Sequence, residues 1–180
     1  MKRFGIVTAF AVLAGSPCAA IAQGPPVDTA AVRTAIAKLD FMVGRWRGTA
    51  WQQRGPERVT TNMLEVVERK LEGVVLHVEG RGSVPVPGAE DRVVHHALGV
   101  ISYDARTKAY TLRSYISSGQ WGDFTLSPID GGVVWTREVP GGRIRNTARF
   151  TATEWHEIGE FSSDGNTWTQ VMEIRLKRES

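Results

Sequence analysis

From residue 44 onward the chain alternates short apolar and polar positions in stretches interrupted by turn-forming clusters. The interruptions are "RGPE" at 54–57, "EG" at 72–73, "PVPGAED" at 85–91, "DARTK" at 104–108 and "SSG" at 117–119. "DGG" at 130–132, "PGG" at 140–142, "TATE" at 151–154 and "SSDGN" at 162–166 complete the series. Glycine and proline supply backbone angles that a strand does not use, and Asp, Asn and Ser bond their own backbone, so each cluster predicts a turn. Ten candidate strands lie between them, beginning near Arg45, Thr60, Val74, Val93, Ala109, Gln120, Val133, Arg143, Trp155 and Thr167. Only the segment before residue 44 has a different period. In "TAAVRTAIAKLDFMV", Val32, Ile36, Leu39 and Met42 or Val43 recur on one helical face, with Asp28 or Thr29 as the cap.

Ten strands with hairpin-length links, and no helix between them to carry a parallel crossover, predict an antiparallel meander. Closing it removes two exposed strand edges. The expected fold is therefore all-β: an antiparallel up-and-down β-barrel of about ten strands with a short N-terminal helix.

Period-two reading assigns faces. In "GRWRGTAW", Trp46, Gly48 and Ala50 share one face, and Arg45, Arg47, Thr49 and Trp51 the other. One tryptophan followed by two minimal side chains predicts a barrel plugged at one end and open beyond, or a glycine that relieves curvature. In the last strand Trp168, Gln170, Met172, Ile174 and Leu176 read as the inner face, against Thr169, Glu173, Arg175 and Lys177. "WHEIGEF" splits into Trp155, Glu157, Gly159 and Phe161 against His156, Ile158 and Glu160. The aromatic set is the better interior, which buries Glu157. A buried carboxylate must find a cation or donor, or stay protonated, and Arg113, Arg143 and Arg145 are the candidate partners.

The N-terminus changes the picture of location. Lys2 and Arg3, an apolar run over Phe4 to Gly15 and the small-residue end Ala20-Ile21-Ala22 form the pattern of a secretory signal peptide. The run is too short to span a bilayer. The expected organisation is a signal peptide over 1–22 cleaved after Ala22, a tether and helix over 23–43, and the barrel over 44–180. The expected location is periplasmic or secreted, with no integral membrane span. Cys18 follows Pro17, a poor setting for a lipid anchor, and it leaves with the signal. Losing Lys2 and Arg3 takes two of 22 basic residues against 19 acidic ones, so the net charge of +3 falls to about +1. That is no electrostatic footprint for nucleic acid.

"GRW" after a short helix resembles the G-x-W opening of lipocalins and related calycin barrels. That resemblance implies that Trp46 closes the barrel floor and that a basic residue of the final strand, Arg175 or Lys177, packs across it. "GRWRG" also resembles the opening of nitrobindin-like haem-binding barrels, and the chain more distantly resembles nitrobindin-like and fatty-acid-binding-like barrels. "LDFMVGRWRG", "ERKLEGVVLHVEGRG", "HHALGVISYD", "YTLRSY" and "WHEIGEFSSDGNTW" together resemble a family of exported bacterial lipocalin-like barrels classed as a domain of unknown function. The resemblance implies a fold more firmly than an activity.

Candidate chemistry is sparse. His95 and His96 are adjacent on a strand, so they face opposite ways and do not share one metal without a bulge. A single inward histidine can still ligate haem iron or orient a ligand. Nitrobindin-like barrels place that histidine near the end of the last strand, where this chain has none, and His156 is the nearest substitute. "HEIGE" at 156–160 lacks the second histidine and the helix of a zinc-peptidase motif. No metal site is expected, and no nucleophile arrangement stands out. The reading that follows is an exported barrel holding a small apolar or amphipathic molecule. The expected ligand-binding set is Trp46, Gly48, Ala50, Arg113, Arg145, Trp155, Glu157, Trp168, Gln170 and Met172. The alternatives are an isomerase or hydrolase using an interior His and Glu as acid and base, a haem-binding barrel through His156, or a barrel packed solid.

Overall fold

The computed structural model describes residues 27–180; the predicted signal peptide and most of the tether lie outside the described residues. A helix, α1 (Thr29–Ala37), precedes ten strands: β1 (Gly44–Arg54), β2 (Glu57–Lys70), β3 (Val75–Val84), β4 (Arg92–Asp104) and β5 (Ala109–Ile116). β6 (Trp121–Ile129), β7 (Gly132–Val139), β8 (Gly142–Phe150), β9 (Glu154–Ser162) and β10 (Thr169–Arg178) follow. Each strand pairs with its sequence neighbour, and β1 pairs antiparallel with β10, which closes the barrel. The expected architecture is present, with β2 starting at Glu57 instead of near Thr60 because Gly55 and Pro56 make a tight turn. Gly55 takes φ +58° there, a region that costs glycine little and other residues more.

Asp28 caps α1, its side chain accepting from the Ala31 N–H at 2.9 Å. The helix buries Val32, Ala35 and Ile36 and packs across one end of the barrel, where Tyr110 donates a hydrogen bond to the Ala35 carbonyl. Beneath it Trp46 is wholly buried. Its indole N–H donates to the Met42 carbonyl at 2.9 Å, and its ring meets Phe150 and Trp155 edge-on at 5.7 and 6.0 Å. These contacts, with Leu39 and Met42, seal the floor.

The basic residue across Trp46 is Arg178, whose guanidinium lies 3.9 Å from the ring centroid. It donates to the carbonyls of Phe41, Val43 and Ala152. The expectation of Arg175 or Lys177 is corrected by face: Arg175 pairs with Glu173 on the outer wall, and both residues alternate with the inward Ile174 and Leu176.

Candidate functional site

Above the floor, inward side chains leave a cavity of about 220 Å³. Its walls are apolar and aromatic, with Phe124, Trp135, Trp155 and Met172 among them, and with Ser114 and Asn146 as neutral polar points. A side chamber of about 90 Å³ adjoins it beside Ala50, Met63 and His95. At the end opposite α1, an open vestibule runs past Gln52, Arg54, Ser114, Trp121, Arg137 and Ile144.

Two carboxyls open into the cavity. Glu157 is 3 % exposed and Glu65 7 %. Inward Glu157 matches the expectation from "WHEIGEF", but no arginine among the described residues meets it. Its one donor among the described residues is the Trp155 indole N–H, at 3.3 Å. Glu65 receives no hydrogen bond from any N–H or O–H among the described residues, and its carboxyl lies across Gly80, where a Cβ would sit 2.5 Å from Oε1. Burial pushes both carboxyls up to about 8, and for Glu65 the neighbouring Glu157 charge adds to the effect. Both are therefore largely neutral at pH 7.

His95 is the inward histidine of the adjacent pair. Burial, and then Arg54 and His96, hold its imidazole below the usual range, so it is neutral at pH 7. His96 points outward and bonds Glu79 at 2.8 Å. Beyond His95, Arg137 fills the space that a side chain at position 122 would take and lies 5.6 Å from the Phe124 ring. Neither Arg54 nor Arg137 has an ion-pair partner among the described residues.

Of the expected set, Ala50, Trp155, Glu157 and Met172 border the two chambers, and Trp46 forms the floor. The others require correction. Gly48 lines neither interior chamber: a Cβ there would collide with the Arg175 carbonyl and sit 3.0 Å from Leu176 Cα, so the glycine serves close approach of β10 to β1. Arg113 is on the outer wall, forked onto Asp123 at 2.6 and 2.7 Å. Arg143 pairs with Glu138. Arg145 pairs with Glu160 at 2.9 Å and covers Trp168, 3.9 Å from its centroid, so both of these residues are outside. Gln170 is exposed, because a bulge between Gln170 and Met172 reverses the alternation at that point.

His156 is also on the outer wall, bonded to Glu173 at 2.8 Å. It is no interior iron ligand and no acid–base partner for Glu157, from which the barrel wall separates it. The histidine that does face the interior is His95. Among the described residues no three His, Cys, Asp or Glu side chains converge as a metal site, and no helix is long and apolar enough to cross a membrane.

Glu65, His95 and Arg137 are the site residues that strand periodicity did not single out. Glu65 carried a signal as an acid flanked by Met63, Leu64, Val66 and Val67, and His95 as one of an adjacent strand pair whose members face opposite ways.

No protein-family model matches the chain, and no curated protein matches it. Solved structures do. Rv2717c from M. tuberculosis superposes with a TM-score of 0.60 at 13 % identity, over 81 % of this chain and 98 % of that one. The S-type phycobiliprotein lyase CpeS from Guillardia theta superposes with a TM-score of 0.52 at 11 % identity, over 86 % and 98 %. At such identities the likeness is one of fold, the ten-stranded lipocalin-like barrel.

Proposed function

We propose that this protein is an exported binding protein that holds a small, mostly apolar molecule inside its barrel. The observation that carries the reading is the cavity of about 220 Å³, walled by aromatic and aliphatic side chains and left open by them. Ligand pockets in barrels have this character: apolar walls with a few convergent polar groups. Export rests on the leader-like first 22 residues. No covalent step is part of the proposal.

Native mass spectrometry of the full chain expressed in a bacterial host tests both halves. The expected spectrum shows a protein beginning at Gln23 and carrying a guest, and 1-octanol added to guest-free protein quenches or shifts tryptophan fluorescence saturably. An uncleaved protein removes export. Absence of any guest, together with indifference to octanol, removes the binding barrel.

One observation favours a second reading. The neutral, inward imidazole of His95 faces a vestibule rimmed by two unpaired guanidinium groups, the donor and counter-charges that a haem with its propionates needs. Bound there, haem would supply redox or diatomic-gas chemistry. A Soret band on haem addition, lost in His95→Ala, supports this reading; no Soret band ends it.

A further inference from the structure

The carboxyl pair has no structural employment. A buried acid normally answers to a lysine, arginine or dense set of N–H donors, because an isolated carboxylate in low dielectric is costly. Among the described residues Glu157 has one indole N–H at 3.3 Å and Glu65 has no donor. Isosteric glutamines or apolar residues would fill the same volume without that cost. Both acids nevertheless face one chamber, against the aromatic surfaces of Trp155, Trp135 and Phe124.

We propose that Glu65 and Glu157 together form the receptor for a protonated amine carried by the guest molecule. The inference rests on the binding-barrel reading and deepens it by naming the polar end of the guest. An ammonium group supplies donors to oxygens that lack them, offsets the charge of the carboxylate that forms in the apolar chamber, and gains from the ring faces around it. An anionic guest would add a third negative charge or force both acids to stay protonated. A hydroxyl would meet one acid and leave the other as it was.

Protons are conserved in a defined way. In the empty barrel at pH 7 the carboxyls are largely protonated. Binding R–NH3⁺ ionises one of them, and its proton leaves to solvent. Among the described residues His95 is the only other titratable side chain facing the chamber; β3, β5, β6, β7, β8 and β10 contribute apolar or neutral polar groups to it. Arg178 lies at the floor against Trp46 and bonds only backbone carbonyls. The proton count is therefore assigned to the acids above about pH 6.5, where His95 is already neutral.

Octylamine, 1-octanol and octanoate, titrated into guest-free full-length protein by calorimetry and tryptophan fluorescence, test the proposal. Octylamine is expected to bind at least tenfold tighter than octanol at pH 7.5, and octanoate weakest. Octylamine affinity should climb toward tenfold per pH unit between about pH 6.5 and 8, the limiting slope for one proton released, and flatten above. Calorimetry in buffers of different ionisation enthalpy should count that proton directly. Glu65→Gln and Glu157→Gln should each lose at least tenfold for octylamine and less than threefold for octanol. Octylamine no tighter than octanol, or an affinity indifferent to pH, overturns the amine receptor even if neither variant folds. Octanol binding alone leaves the barrel reading standing without it, and failure of all three ligands overturns both.

Discussion

At the scale of the residue, Glu65 and Glu157 decide how the protein responds to pH. Each carboxyl moves from an ordinary 4.5 to about 8 on burial, so the folded chain holds protons that the unfolded chain has released. The contribution of these two acids to stability is fullest below about pH 4.5 and falls as pH rises toward 8. Each acid contributes a slope of about 1.4 kcal/mol per pH unit inside that window. The lowered His95 acts in the opposite direction, an effect that fades above its ordinary 6.5. Urea denaturation between pH 6.5 and 8 isolates the carboxyls. The expected result is a midpoint that falls with pH in the guest-free protein and a slope roughly halved in Glu157→Gln. A midpoint that stays level would place the acids in contact with water. Strand parity in "WHEIGEF" sufficed to bury Glu157, because three of the four residues on its face are aromatic or glycine. Glu65 was not legible in the same way. Both faces of β2 are apolar around it, Met63 and Val67 inside against Leu64 and Val66 outside, so period two does not distinguish the wet face from the dry one.

At the scale of the element, β1 and β10 determine whether the barrel closes. Their register runs from Trp46 opposite Arg178 to Gln52 opposite Met172, with Gly48 at the point where the Arg175 carbonyl presses in. Gly48→Val should cost about 1–3 kcal/mol, the range for overpacking a well-packed site, and hydrogen exchange should show the loss concentrated in β1 and β10. A valine tolerated within about 0.5 kcal/mol would mean that the seam has slack. The same seam shows where sequence reading fails. Trp168, Gln170 and Met172 keep a perfect alternation on paper, yet the bulge before Met172 turns the first two outward. A single extra residue leaves no hydrophobic trace when polar and aromatic groups suit both sides. Arg178 is a different case. It continues the inward series Met172, Ile174, Leu176, so the floor arginine was available from the alternation that placed Arg175 and Lys177 on the wet wall.

At the scale of the whole molecule, the barrel has a charge axis. Its deep chamber holds two acids without a basic partner, while Arg54 and Arg137 stand unpaired at the vestibule among the described residues. Such an arrangement favours a guest of opposite polarity, with its ammonium end inside and an anionic end at the mouth. The two contributions differ in how solvent treats them. Contacts with the buried acids are screened little, whereas those at the exposed rim lie within reach of mobile ions, whose screening length is about 8 Å at physiological salt. 8-Aminooctanoate, which adds a carboxylate to the far end of octylamine, separates them. It is expected to bind several-fold tighter than octylamine at low ionic strength and to lose that advantage near 0.5 M salt. Arg54→Gln with Arg137→Gln should abolish the advantage at any salt and leave octylamine itself no weaker. Because these guanidinium groups repel a bare ammonium, the double variant should also admit octylamine faster in stopped-flow measurements. An advantage that survives both high salt and loss of the two arginines would mean that the carboxylate is held elsewhere. The charge axis would then play no part in orienting the guest.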